Sequence, residues 1–228
     1  MSDDLTSISE HHITVNRTAR YFTLGSFSAN LRQVWFVCHG YGQLARFFLR
    51  NFRCLDDGTR LIVAPEALSR FYLNRTSGRV GATWMTREDR LNEIQDYIAY
   101  LNNLSEKIIT QVDVNKIQFN ILGFSQGTAT VMRWICSGKI KPDQVILWAG
   151  GIPPEIDLGV YRDLFRHCSL KLVIGEQDEY ITPTRVQETE ERLKSNGIPY
   201  RLIPFRGRHQ LNGKILEQLA SEENSGED

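Results

Sequence analysis

The sequence has no apolar run approaching the roughly 20 residues that a membrane-spanning helix needs, so no membrane span is expected. Its start, Met1-Ser2-Asp3-Asp4-Leu5, is acidic and polar and lacks the basic stretch and apolar core of a secretory leader. Net charge is missing too. Basic and acidic residues number 27 each, which leaves no global basic field to attract nucleic acid and no polybasic lipid anchor. The four cysteines, Cys38, Cys54, Cys136 and Cys168, form neither a C-x-x-C pair nor a zinc-type spacing. They read as reduced thiols in a cytoplasmic protein, with no metal site. There is no internal repeat and no interdomain linker. Residues 1–228 are therefore expected to form one domain, with residues 1–10 and 221–228 as disordered tails.

What is present is an ordinary globular composition, 41% hydrophobic and 24% charged, long enough for a sizeable core. Four runs are apolar on both faces: 33–38, 61–64, 144–148 and 170–174. That pattern belongs to central strands of a covered sheet. Two further runs, 117–122 and 200–203, are also strand-like, and helical periods lie between the strands. Leu91, Ile94, Ile98, Leu101, Leu104 and Ile108 mark a long amphipathic helix, opened by a capping-box-like pair, Thr86 and Asp89. Thr182-Pro183 starts another helix and Gly197 stops it. Near the N-terminus, 11–15 and 21–24 read as a hairpin, whereas 66–85 shows no clear period and reads as a long loop. The alternation of strand and helix predicts an α/β fold: a mostly parallel central sheet of about seven or eight strands with helices on both faces.

Functional residues of parallel sheets collect on loops at the C-terminal ends of strands. Four such loops carry suggestive chemistry: 39–43, 123–127, 175–180 and 205–210. Gly123-Phe124-Ser125-Gln126-Gly127 lies between a strand-like run and a helix-like run, the setting of a nucleophile elbow. A serine hydroxyl needs a base within hydrogen-bond reach, and the base needs an orienting acid. Of the two histidines after Ser125, His167 precedes a strand, whereas His209 follows the last one and is preferred. Asp178 is the preferred acid because it follows strand 170–174 on the same rim. Glu176 and Glu179 are its neighbours, and Asp157 is an outlying alternative. Backbone N–H groups of Gln126 and of Tyr41, in His39-Gly40-Tyr41-Gly42, would form an oxyanion hole. His39 has no ligand-spaced companion and reads as a loop-holding residue; His11-His12 reads as an accident of a strand start.

With His39-Gly40-Tyr41-Gly42, Trp84 before the long helix, Gly123-Phe124-Ser125-Gln126-Gly127, Gly175 with Asp178, and Gly207 with His209, the chain resembles the α/β-hydrolase superfamily. Within it, the chain is similar to the small carboxylesterase/phospholipase group that includes the acyl-protein thioesterases. The resemblance implies hydrolysis of a small-molecule ester or thioester through an acyl-Ser125 intermediate, without cofactor, in a monomer or homodimer. Two features depart from the group: Gln43-Leu44 stands where an acidic residue is common, and Ala82-Thr83-Trp84-Met85 lacks the usual Phe-Asp after the tryptophan. Tyr41, Phe71, Tyr72, Trp84, Met85 and Tyr180 could wall an apolar acyl site. Arg70, Arg75 and Arg79 could meet an anionic substrate or simply face solvent. With no large helical lid, the site suits short or medium acyl groups. A thioesterase or lysophospholipase is an alternative, and a non-catalytic ligand-binding protein of this fold is another.

Overall fold

Each doubly apolar run becomes a strand whose alternate side chains enter different cores. The structure is a computed structural model describing residues 8–222. Strand β2 (Gln33–Cys38) is buried along its whole length. Val34, Phe36 and Cys38 enter one core, while Trp35 and Val37 enter the other. The same division holds along β3 (Arg60–Pro65), β6 (Gln118–Phe124), β7 (Gln144–Trp148) and β8 (Ser169–Gly175). With β1 (Tyr21–Leu24) and β9 (Arg201–Phe205) they form a seven-stranded sheet of order β1-β3-β2-β6-β7-β8-β9. All neighbouring pairs are parallel except β1 with β3.

Helices cover both faces. The first core is closed by α2 (Arg90–Ile109), α3 (Gln126–Cys136), α4 (Arg162–Arg166) and α5 (Pro183–Ser195), through Leu101, Trp134, Phe165 and Leu193. The second is closed by α1 (Ala45–Phe48), the 3-10 turn Leu49–Leu55 and α6 (Gly213–Ser221), through Phe48, Phe52, Leu216 and Leu219. Thr182 caps α5 as its sequence suggests, its side chain accepting from the Arg185 N–H, with Pro183 in the first turn. Among the described residues no helix is long and apolar enough to cross a membrane.

The topology positions the site. The chain leaves β2 toward β3 on one side and returns through β6 on the other, so the loops after β2 and β6 meet at the point where strand order reverses. Crevices of open parallel sheets form there.

Several local expectations give way to tertiary pairing. Residues 11–15 form no strand, because β1 completes the free edge of β3 instead of a hairpin. Residues 66–85 are not an irregular loop: β4 (Ser69–Asn74) and β5 (Ser77–Thr83) make an antiparallel hairpin. Most of β4 and the outer half of β5 are solvated, which is why no apolar alternation announced them. Thr86 and Asp89 do not pair as a box. Helix α2 begins at Arg90 after Asp89 in left-handed geometry, and Glu93 reaches back to the Thr86 N–H instead. Of the expected tails, 1–7 and 223–228 lie outside the described residues, and 8–10 have no regular structure. Ser221 ends α6, and Glu222 is anchored by ion pairs to Lys171 and Arg201, against the expectation for that end.

Candidate active site

Strand β6 ends at Phe124 and α3 starts at Gln126, so Ser125 alone makes the turn between them. Its backbone has φ 53° and ψ −117°, a conformation that costs an L-residue on the order of 1–3 kcal/mol and survives only where the surroundings impose it. They do so by direct bonds. The Ser125 N–H donates to Trp148 O at 2.9 Å, and its carbonyl accepts from the Thr128 N–H at 3.0 Å and hydroxyl at 2.7 Å. Glycine is required on both sides. A Cβ on Gly123 would lie 2.3 Å from Gly127 O, and one on Gly127 would lie 2.2 Å from Cys38 O.

His209, on the loop after β9, reaches over this turn. Its Nε2 is 2.9 Å from Ser125 Oγ and its Nδ1 is 2.8 Å from Asp178 Oδ2. A carboxylate only accepts, so Nδ1 carries the proton and Nε2 is left to accept from the serine hydroxyl. Asp178 is fully buried at its side chain and is itself oriented, since Oδ1 accepts from the Tyr180 and Ile181 N–H groups at 2.9 and 3.1 Å. The acid and base loops are tied together by backbone bonds from Glu176 N–H to Phe205 O and from Gln177 N–H to Gly207 O, both 2.9 Å. Trp148 Nε1–H holds Gln210 O at 2.9 Å. The imidazole lies between the rings of Phe124 and Tyr180, at 5.0 and 4.7 Å. The geometry allows a proton to pass from Oγ to Nε2 while the resulting imidazolium is held by Asp178.

Two backbone amides of these loops are left without an acceptor among the described residues. Gln126 is the first residue of α3, so its N–H has no intrahelical acceptor. In the loop after β2, the Gly40 N–H donates to Gln43 Oε1 at 2.8 Å and the Gly42 N–H to Ala82 O at 2.9 Å. The Tyr41 N–H, between them, bonds no acceptor among the described residues. A Cβ on Gly40 would lie 3.1 Å from Ser125 Cβ, which puts this loop against the serine.

His39 fixes the loop from behind. It is fully buried, with Nδ1 2.7 Å from Gly40 O and Nε2 accepting from the Ala67 N–H at 3.1 Å. Burial lowers its pKa to about 4, against smaller opposing effects of the Gly40 carbonyl and Glu66. The ring therefore stays neutral, as its acceptor role at Nε2 requires. Beside it, burial pushes the Cys38 thiol far up and leaves it protonated, so it does not compete as a nucleophile.

No protein-family model matches this sequence, and no curated protein is detectably similar to it. Solved structures do match. Acyl-protein thioesterase 2 of Zea mays superposes with a TM-score of 0.66 at 16% identity, covering 89% of this chain and 96% of that one. The carboxylesterase from Mesorhizobium loti gives 0.66 at 18% identity, with 90% and 95% covered. Esterase PE8 gives 0.66 at 18%, with 90% and 97% covered. This is the α/β-hydrolase fold.

Within that fold, Ser125, Asp178 and His209 come together as one hydrogen-bonded relay, with the Tyr41 and Gln126 amides beside it. The cleft over Ser125 has a volume of about 600 Å³ and is lined by Tyr41, Tyr180 and His209, together with the loop 149–154 after β7. Tyr41 and Tyr180 are 60% and 61% exposed at its mouth. The other pocket candidates lie elsewhere. Phe71 stacks on Tyr41 at 5.2 Å, and Tyr72 is half-exposed on the hairpin. Trp84 is buried, with Nε1–H donating to His39 O at 2.8 Å. Met85 packs against the core and offers its carbonyl to the Gln126 amide. None of these four lines the cleft. Arg70 pairs with buried Glu66.

Sequence reasoning missed the side chain of Gln126. Its Nε2 donates to Thr83 Oγ1 and Met85 O, both at 2.9 Å, and its Oε1 accepts from the Trp84 N–H at 3.2 Å. Gln126 and Trp84 thereby clamp the two amide-bearing segments to one another. The contribution of loop 149–154 was also missed, although its place after a parallel strand was a signal. Glu10, His12 and Asp89 form an exposed cluster, explained by His12 pairing with both carboxylates.

Proposed function

We propose that the protein is a serine hydrolase that cleaves carboxylic esters through an acyl-Ser125 intermediate. The observation that carries this reading is the relay of 2.9 Å from Ser125 Oγ to His209 Nε2 and 2.8 Å from His209 Nδ1 to Asp178. As Oγ attacks the ester carbonyl, His209 Nε2 takes its proton and then gives it to the departing alkoxide. The carbonyl oxygen, now negative, is met by the Tyr41 and Gln126 N–H groups; losing one such donor costs about 3–4 kcal/mol of transition-state stabilisation. Water then enters, again deprotonated by His209, releases the acid and restores the serine. Asp178 keeps the proton on Nδ1 and stabilises the imidazolium.

Structural likeness to a thioesterase and to carboxylesterases supports the hydrolase reading equally for ester and thioester. The four free cysteines support a cytoplasmic setting. The test is a fluorophosphonate probe with peptide mapping, alongside p-nitrophenyl acetate and the matching thioacetate. Labelling at Ser125, with turnover abolished in Ser125→Ala, is expected. Ligand binding without labelling or turnover would refute the proposal in favour of a non-catalytic binding protein.

A further inference from the structure

The cleft over Ser125 carries charge of one sign. Among the described residues its walls hold two arginines, Arg133 and Arg185, and no carboxylate. Asp178 presents no charge to this surface. Its side chain is fully buried behind His209, and its oxygens are taken by Nδ1 of that ring and by the Tyr180 and Ile181 N–H groups. The arginines of the hairpin do not contribute either. Arg70 pairs with Glu66, Arg79 lines a separate hollow with Phe47 and Asn51, and Arg75 sits at the hairpin turn.

The two cleft arginines differ in what they hold. Arg133 is largely buried and committed: its Nε and Nη2 lie 2.8 and 2.6 Å from Glu155 Oε1, and its Nη1 lies 3.4 Å from the Tyr97 hydroxyl. Arg90 pairs with the same Glu155 oxygen, so one carboxylate faces two guanidinium groups and positive charge is left over on this wall. Arg185 is exposed and makes no ion pair among the described residues. Its Nη1 donates to Tyr180 O at 3.3 Å, and the other N–H groups of its fork bond no acceptor among the described residues. Helix stability does not explain an arginine at this position. Arg185 lies in the first turn of α5, which contains no acidic residue, and a cation there meets the positive end of the helix dipole.

We infer that Arg185 is a specificity-determining residue, and that the preferred substrates are esters carrying a carboxylate on the acid or the alcohol half. The inference rests on the hydrolase reading above. A guanidinium fork presents paired N–H groups that match the two oxygens of a carboxylate, and one free fork suits one such group. A cleft of a single sign also draws an anion in before contact is made. Arg185 is tied to Tyr180, whose ring packs against His209 at 4.7 Å, so the fork and the base share one side of the site. At about 600 Å³ the cleft has room for the ester and a second group together.

The experiment measures kcat/KM for charged and neutral esters on the full chain, on Arg185→Met and on Arg185→Lys. For the alcohol half the pair is 4-acetoxybenzoate and its methyl ester; for the acid half it is monoethyl adipate and ethyl hexanoate. In one of the pairs Arg185→Met should lower the charged-to-neutral ratio by about fivefold or more, mainly through KM, as loss of a partly exposed ion pair to the substrate requires. The responding pair identifies the half that bears the carboxylate. Arg185→Lys, which keeps the charge but loses the fork, should lie between parent and methionine. Raising salt from about 0.05 M to about 0.5 M should shrink the parent's ratio and leave that of Arg185→Met nearly level. Unchanged ratios in both pairs would overturn the inference, including the case in which Arg185→Met lowers charged and neutral esters alike through its link to Tyr180. p-Nitrophenyl acetate separates the two proposals: its turnover with unchanged ratios removes the role of Arg185 alone, whereas no turnover and no labelling of Ser125 removes the hydrolase reading.

Discussion

Lowering the pH should destabilise the fold through one buried ring, His39. In the folded state its pKa lies near 4, against 6.5 for a free imidazole, because burial disfavours the charged form. The unfolded chain therefore binds the proton first. Stability from this group is complete above pH 6.5 and is lost progressively as the pH falls toward 4. Each unit of difference is worth about 1.4 kcal/mol, so the full loss is about 3 kcal/mol, of which about 2 kcal/mol falls between pH 7 and pH 5. The hydrogen bonds give the same sign, since a proton on Nε2 would face the Ala67 N–H that it now accepts from. Urea unfolding at pH 7 and pH 5, in the parent and in His39→Gln, isolates the contribution from that of the carboxylates. The glutamine can accept from Ala67 and does not titrate. Its stability at pH 7 will be lower, but the loss between the two pH values should shrink by about 2 kcal/mol. An identical loss in parent and variant would refute the reasoning.

Three further outcomes are expected. Ser125→Gly should be more stable than Ser125→Ala by about 1 kcal/mol in thermal unfolding, because only glycine relieves the positive φ of the turn; equal stability would mean that the turn is unstrained. Gln126→Met should lose about 1–3 kcal/mol of stability by stranding the partners of its amide. It should also lower kcat about tenfold with KM little changed, because the adjacent N–H is displaced from the transition state; a stability loss with unaltered kcat would make the clamp purely structural. Glu222→Gln leaves Lys171, only 4% exposed, without its carboxylate. Allowing for the partial exposure of Glu222, it should cost about 1–2 kcal/mol by urea titration; no change would return this end of the chain to the tail that its composition suggests.

The elements that sequence revealed are those whose signal is local. Runs such as 33–38 and 144–148 are apolar on both faces wherever they occur, and the cap at Thr182-Pro183 is read within a few residues. The hairpin 69–83 was illegible because it buries little, so nothing in its apolar pattern alternates. Residues 221–222 read as part of a tail because the ion pairs of Glu222 with Lys171 and Arg201 are tertiary contacts, which a composition argument cannot see.

For the candidate site, sequence alone determined the residue types, their order and the side of the sheet on which they lie. Glycines at 123 and 127 mark a turn with no room for side chains, and parallel strands deliver their following loops to one rim. Only the tertiary structure decided what those residues touch. Strand order brings Ser125, Asp178 and His209 within hydrogen-bond reach across as many as 84 positions of chain. It turns the Gln126 side chain into a clamp and sets Trp84 behind the loop after β2 instead of in the cleft. The hollow of about 510 Å³ beside α5 is lined by residues of β8, α5 and the loop after β7, none of which carries a mark of it alone. A turn is written in the backbone preferences of neighbours, whereas a cavity is the space left between segments that meet only after the sheet has formed.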